Sequence, residues 1–365
     1  MTRLEDLVQD TLTSLADEAR PADLGRTALR GARQRRYAMA GGICTVLAVM
    51  AIAVPIGLTH TADRAPNGAT NTSATPKPTR TVPLDHLVNI GGYDIAGWAS
   101  QGGTPAAPSV VYDYGRDRYV TINYAGAVAA PRGGLVAVQR QDEPYDVGLL
   151  DLRTDKVRWL RLGDYHPGDL QWSPDGAKLL VSIDSKDAGS PGFAVVDATT
   201  LHLATHWIDT SRFDTGEVAF SWYPDGKQVL TTIADRSAGE AQDLVDHLQL
   251  FDLDGRPTRT IPVKSHVYGA ASWSPDGRYV VGYDQNTLTA QIIQVNSGRL
   301  IATVPHVPGF TTGIAWWTTN GEVLVQRNNS TLVKYRLHDN RTVTYVVSSA
   351  PKSREMAMML YGASQ

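Results

Sequence analysis

A five-residue pattern returns three times through the middle of the chain: Trp172-Ser173-Pro174-Asp175-Gly176, Trp222-Tyr223-Pro224-Asp225-Gly226 and Trp273-Ser274-Pro275-Asp276-Gly277. Weaker copies flank it, Ala130-Pro131-Arg132-Gly133 and Trp317-Thr318-Thr319-Asn320-Gly321. Measured at the proline, or at Thr319, the intervals are 43, 50, 51 and 44 residues. A period of about 40 to 50 residues marked by turn residues is that of a four-stranded unit repeated around a ring. Proline pre-sets φ at the start of the turn, aspartate bonds back to the backbone, and glycine takes the positive φ. The tryptophan ahead of them offers a large ring to pack between neighbouring units.

An apolar strand follows each turn: Leu179-Leu180-Val181, Val229-Leu230-Thr231, Tyr279-Val280-Val281 and Val323-Leu324-Val325. A second strand then ends in a polar turn, as in Phe193–Asp197, Leu248–Gly255, Gln291–Gly298 and Val333–Leu337, and a third closes the unit. The 33 Gly, 20 Pro and eight Trp suit such a turn-rich β protein. Trp-Ser-Pro-Asp-Gly followed by a basic residue and an apolar strand resembles the WD40-like (PD40) β-propeller repeat of TolB-type proteins, over about residues 87–361. The resemblance implies an all-β fold and a habit of binding partners. The extra N-terminal domain of TolB has no counterpart here.

Counting strands sharpens the expectation to a six-bladed β-propeller with four-stranded blades. The second to fourth strands fall near 93–122, 134–160, 177–207, 227–262, 278–304 and 321–348, with innermost strands ending at about Pro131, Trp172, Trp222, Trp273 and Trp317. The first set lacks an innermost strand, and Met356-Ala357-Met358-Met359-Leu360 is left over. The tail is therefore expected to supply the missing strand and close the ring, which removes two exposed sheet edges.

The propeller is expected to begin at residue 87, behind three other segments. Residues 37–58 carry no charged side chain; as a helix they are about 33 Å long, enough to cross a membrane. Arg26, Arg30, Arg33, Arg35 and Arg36 precede them, which places the N-terminus in the cytoplasm and the propeller outside. A cleaved signal peptide fits less well, because the leader is long and no A-x-A site follows. In residues 1–36, Leu4, Leu7, Val8, Leu12 and Leu15 recur at helical spacing, giving a short cytoplasmic helix. Residues 59–86, rich in Thr, Pro, Ala and Asn, read as an extended spacer.

Composition narrows the chemistry. A formal charge of −3 gives no polybasic footprint for nucleic acid. One cysteine, Cys44, excludes an internal disulfide framework. No G-x-S-x-G, H-E-x-x-H, P-loop or G-x-G-x-x-G pattern occurs. Asp252, Asp254 and Gly255 resemble the start of a calcium loop but lack its later ligands, and read as a turn. Some serine peptidases carry a hydrolase domain after such a propeller; the sequence stops where that domain would start. Neither catalytic residues nor a cofactor are expected.

The long connections do carry candidates. Those between second and third strands and those crossing between blades share one face in a four-stranded blade: Arg140–Asp146, Arg161–Asp169, Asp184–Pro191, Trp207–Glu217 and Asp235–His247. With Lys264, Asp284 and Arg327 in the later equivalents they hold 15 acidic and seven basic side chains. A long-looped acidic face suits a partner site rather than anionic ligands. The candidate binding residues are Asp142, Glu143, Asp146, Asp164, Tyr165, His166, Asp209, Arg212, Asp214, His266 and His306. A histidine ring for a metal, from His166, His206, His266 and His306, is disfavoured by their uneven spacing to the next tryptophan, and solvent-facing loop histidines are the expectation.

The reading that follows is a membrane-anchored, extracytoplasmic, non-enzymatic scaffold binding a protein, peptide or glycan of a bacterial cell envelope. Two alternatives differ in class: a lactonase- or cyclotransferase-like enzyme at the channel mouth, and a transmembrane sensor signalling through residues 1–36. The enzyme needs inward carboxylates or histidines on several innermost strands, where Ala219-Phe220-Ser221-Trp222 and Ala270-Ala271-Ser272-Trp273 offer only small and apolar residues.

Overall fold

The computed structural model describes residues 79–82 and 86–362, with breaks at 101–107, 132, 141–142, 144, 186–190, 216–218, 238–243, 285–288, 305–314, 319, 329, 340 and 349–355. The segments read as a cytoplasmic helix and a membrane span lie outside the described residues; among those described, no helix is long and apolar enough to cross a membrane.

Six sheets follow one another along the chain. Blade 2 comprises Ala125–Ala129, Leu135–Gln139, Asp146–Asp151 and Lys156–Arg161, each antiparallel to the next. Blade 3 is Tyr165–Trp172, Lys178–Ser185, Pro191–Asp197 and Leu203–Trp207, and blade 4 is Ser221–Trp222, Gln228–Asp235, Leu244–Asp252 and Pro257–Ile261. Blade 5 has Tyr279–Asp284, Thr289–Gln294 and Leu300–Thr303. Blade 6 has Ala315–Trp317, Val323–Asn328, Thr331–Arg336 and Arg341–Val347.

Blade 1 is composite. Tyr93–Ser100, Ser109–Asp113 and Arg118–Ile122 are contiguous in sequence, and the C-terminal strand Met356–Gly362 pairs antiparallel with Tyr93–Ser100. The tail thus takes the place that the first strand holds in other blades, as the strand count required.

The hydrophobic core shows that the ring is closed. It is divided into six clusters, one between each pair of neighbouring blades. The cluster that joins last to first packs Trp316, Leu324, Leu332 and Val347 of blade 6 against Ile95 and Trp98 of blade 1. Strand alternation explains the division: second and third strands are buried on both faces, so each sheet contributes to the core on either side.

The repeated turns behave as their chemistry demands. Gly176, Gly226 and Gly277 have φ of 70°, 64° and 68°. The Ser173 hydroxyl donates to Asp175 Oδ1 at 2.6 Å and accepts the Lys178 amide at 2.9 Å, and Asp175 Oδ1 accepts the Ala177 amide. In the divergent copy Thr318 stands in for the serine, its Oγ1 accepting the Glu322 amide at 3.0 Å.

Two departures matter. The innermost strand expected at Trp273 is broken: only isolated bridges His266–Tyr283 and Trp273–Val280 remain, and Ala270–Ser272 forms a 3₁₀ turn instead. Within the stretch read as a spacer, Thr79–Val82 adds to Arg341–Val347 as a parallel fifth strand on the outer edge of blade 6.

Candidate functional site on the long-connection face and in the hub

Contacts between the two classes of connection put both on one face. Leaving blade 3, Asp214 is held by Arg236 from the long connection of blade 4, with Nε and Nη2 at 2.7 and 3.0 Å from the two carboxylate oxygens. Lys264, leaving blade 4, lies 3.6 Å from Asp246. The Leu162 amide, where the chain leaves blade 2, donates at 3.0 Å to the carbonyl of Tyr145 in that blade's own long connection.

At blades 2 and 3 this face carries aromatic rings. His166 packs against Tyr145 at 4.8 Å between ring centroids, and the Arg161 guanidinium sits 6.0 Å over the same tyrosine. Tyr165 meets Trp207 edge-on at 4.7 Å. Trp207 ends the outermost strand of blade 3 and is 38% exposed, one of four large hydrophobic side chains so exposed among the described residues. Gly192 makes room beneath it: a β-carbon there would stand 2.8 Å from the indole and 2.5 Å from the His206 carbonyl. Exposed Asp164 lies between Arg161 and Tyr165 in the chain.

The sequence candidates therefore divide. Tyr165 and His166 open an innermost strand rather than sit in a loop, and both are half-buried beside exposed Asp164. Glu143 is half-buried at the start of the connection into blade 2's third strand. Asp209 and Arg212 are exposed but form a local turn: Asp209 accepts the hydroxyl and amide of Ser211, which hold its carboxyl below the usual range, while Arg212 stacks 4.9 Å over Phe213. Asp214 is engaged by Arg236.

Asp146 is not open to a ligand; it is 7% exposed and bound to Arg140 at 2.6 Å, whose guanidinium lies 4.5 Å over Trp159. His266 is a correction to the solvent-facing reading: it is 4% exposed, and its backbone exchanges hydrogen bonds with Tyr283. Strand propensity around Tyr283 pulls His266 into the sheet. His206 belongs to the outermost strand of blade 3 and packs on Phe193 at 5.2 Å. Asp142 and His306 lie outside the described residues. No group of three or more His, Cys, Asp or Glu able to hold a metal occurs among the described residues.

Sequence reasoning missed the hub. Asp169, read as the end of a crossing loop, lies within the innermost strand of blade 3, where the register slips between Pro167 and Leu170. Leu170 and Trp172 alternate into the core between blades 2 and 3, so Asp169 and Gln171 face the other way. Gln171 Nε2 donates to Asp169 Oδ2 at 2.7 Å. Burial pushes the Asp169 carboxyl up to about 6. The broken strand of blade 5 fills the hub opposite. Ala270 packs on the core of blades 3 and 4, Ala271 on that of blades 6 and 1, and the Tyr93 hydroxyl donates to the Trp317 carbonyl at 2.5 Å. The only signal for Asp169 was an acidic residue three before a motif tryptophan.

No protein-family model matches the sequence, and no curated protein sequence matches it. Solved structures do resemble it. TolB from Acinetobacter baumannii is 18% identical with a TM-score of 0.48, covering 73% of this chain and 66% of its own. The dihydro-heme d1 dehydrogenase NirN is 18% identical with a TM-score of 0.42, covering 76% and 59%. Kuenenia stuttgartiensis hydrazine synthase is 14% identical with a TM-score of 0.45, covering 74% and 83%. The chain thus spans under two thirds of the length of the first two. Identities this low carry no activity across, and the ring is established by this chain's own sheets and clusters. The chain is a six-bladed β-propeller with four-stranded blades.

Proposed function

We propose that this protein is a non-enzymatic binding scaffold, tethered to the cytoplasmic membrane through residues 37–58 and holding its propeller outside. It takes a protein, peptide or glycan of the cell envelope on the long-connection face. The observation that carries the binding reading is the aromatic character of this face at blades 2 and 3, where exposed Trp207 meets Tyr165 edge-on and Tyr145 packs against His166 and Arg161. Exposed tryptophan beside tyrosine and arginine is what partner hot spots are made of, and rigid sheet ends hold the rings in place without a folding cost.

The tether reading rests on the uncharged run at 37–58 and the arginines ahead of it. Placing Thr79–Val82 on the edge of blade 6 would leave about 20 residues between span and ring, so the propeller stands close to the bilayer surface.

Affinity capture from envelope extracts with the full-length protein tests the binding reading. Trp207→Ala and Tyr165→Ala are expected to lose the captured partner while thermal unfolding stays within a few degrees of wild type. Unchanged capture by both variants removes the patch from the binding face. Protease accessibility of the propeller in intact spheroplasts tests the orientation: protection from added protease overturns it.

A further inference from the structure

The docked strand Thr79–Val82 gives the ring a direction relative to the chain that precedes it. In blade 5 the turn leading into the outermost strand lies beside the repeated turn, since the Val295 amide donates to the Arg278 carbonyl at 3.0 Å. Outermost strands therefore start on the repeated-turn face and run toward the long-connection face. In blade 6, Arg341–Val347 starts from the pair that Arg341 makes with Arg336 across such a turn. Thr79–Val82 lies parallel to it, with Thr79 level with Thr344 and Val82 with Val347. The N-terminal end of that strand thus points toward the repeated-turn face, at the outer rim of blade 6.

The neighbouring rim of blade 5 is apolar on that same side. Leu300 and Ile301 follow directly on the turn into the outermost strand, at 51% and 39% exposure, two of the four large hydrophobic side chains so exposed among the described residues. Exposed Arg299 stands before them, and residues 285–321 hold no aspartate or glutamate. In the pairing with Thr289–Gln294 the register slips at Ile301, which has no partner between Leu300 and Ala302. A bulge interrupts the ladder that an added strand would extend, so this edge suits a soft surface better than a β-strand.

From these observations, and resting on the tether reading above, we propose that the blade 5 rim at Arg299, Leu300 and Ile301 docks on the surface of an anionic lipid bilayer. Leucine and isoleucine enter the interfacial layer while the arginine pairs with lipid phosphate. The 20 residues from 59 to 78 reach about 25 Å as a flexible chain. Such a tether keeps the rim at about millimolar effective concentration, so a contact too weak to recruit a free protein is enough. Docked this way, the ring sets its repeated turns toward the lipid and its long-connection face, with Trp207 and Tyr165, away from it.

Fluorescence quenching in the full-length protein tests it, after reconstitution into vesicles of phosphatidylglycerol and phosphatidylcholine that contain a doxyl-labelled lipid. In a Cys44→Ser background an environment-sensitive probe is placed at Asn296→Cys, in the turn before Arg299, or at Asp164→Cys on the long-connection face; both positions are exposed. Severalfold stronger quenching at 296 than at 164 is expected. The pair Leu300→Asp and Ile301→Asp should bring the probe at 296 down to the level at 164, while thermal unfolding stays within a few degrees of wild type. Equal quenching at the two positions, or quenching unmoved by the aspartates, overturns the docking. Self-quenching between copies at 296 in place of lipid quenching also overturns it and gives the rim to a second copy of the chain. Carbonate extraction separates this from the tether itself: release of the protein overturns both readings, whereas retention with equal quenching overturns the docking alone.

Discussion

The indole nitrogen of Trp222 donates to the carbonyl of Gln171 at 3.0 Å, tying the motif tryptophan of blade 4 to the innermost strand of blade 3. Trp172 does the same to Val128 of blade 2 at 2.8 Å. Trp273 and Trp317 are buried just as well, yet their ring nitrogens find no protein acceptor. The difference traces to what each would reach: the innermost strand of blade 4 is two residues long, and that of blade 5 is a 3₁₀ turn. One repeated motif therefore has two energetic values, set by the neighbouring blade.

Replacing these tryptophans by phenylalanine separates the two classes. All four variants lose ring area, but only Trp172→Phe and Trp222→Phe leave a satisfied carbonyl without its donor. Those two should cost about 1 to 2 kcal/mol more than Trp273→Phe and Trp317→Phe. Urea unfolding of the four variants decides it; equal losses would show that the indole bonds contribute nothing.

Two aspartates give stability opposite pH dependences. Asp169 is raised from 3.8 to about 6, so its contribution is fully present below about pH 4 and lost as pH rises through 6. Asp169→Asn should therefore stabilise the protein at pH 7, by up to about 2 to 3 kcal/mol, and by much less at pH 4. Asp276 is lowered to about 2, chiefly by the Ser274 hydroxyl and then by the Arg278 amide. Its contribution is present above about pH 4 and lost as pH falls toward 2, so Asp276→Asn should flatten the acid limb. Unfolding curves from pH 2 to 8 check both signs.

Deleting residues 352–365 removes the strand that pairs with Tyr93–Ser100 along its length. Ring closure has no substitute for it, because the other five blades take their innermost segment from their own sequence. Circular dichroism and thermal unfolding should show loss of the cooperative transition; unchanged melting would mean that the ring closes without the tail.

Glycines of equal φ should differ sharply in tolerance. Gly298 has φ +66°, and a β-carbon on it would lie 1.8 Å from the Pro262 carbonyl oxygen, a backbone atom of the blade 4 to blade 5 crossing. Gly277 has φ +68° but nothing within 4 Å of that position. Gly277→Ala should cost about 1 kcal/mol, the strain of the backbone alone. Gly298→Ala should cost at least twice as much, as measured by thermal unfolding.

The ring was legible because its determinants are local. Proline, aspartate and glycine act on their own turn, and the tryptophan marks the strand end that feeds it, so blade number and tail closure follow from spacing. The site was only half legible. In sequence Tyr165 and His166 read as loop residues although they begin a strand, and Trp207 reads only as a loop boundary. Their meeting with Tyr145 depends on how two blades are set side by side, which no spacing encodes. Asp146 and His266 look like surface ligands in sequence and are buried, because Arg140 and the backbone of Tyr283 claim them.

What the sequence determined by itself is the repeat, since each turn is stabilised by residues within five positions of one another. Only the tertiary structure decided the hub. Asp169 and Gln171 belong to blade 3 and the plug to blade 5; ring closure sets Gly269 of the plug against the Gln171 side chain, which in turn donates to Asp169. Burial there, and not residue type, is what gives the Asp169 carboxyl its raised affinity for protons.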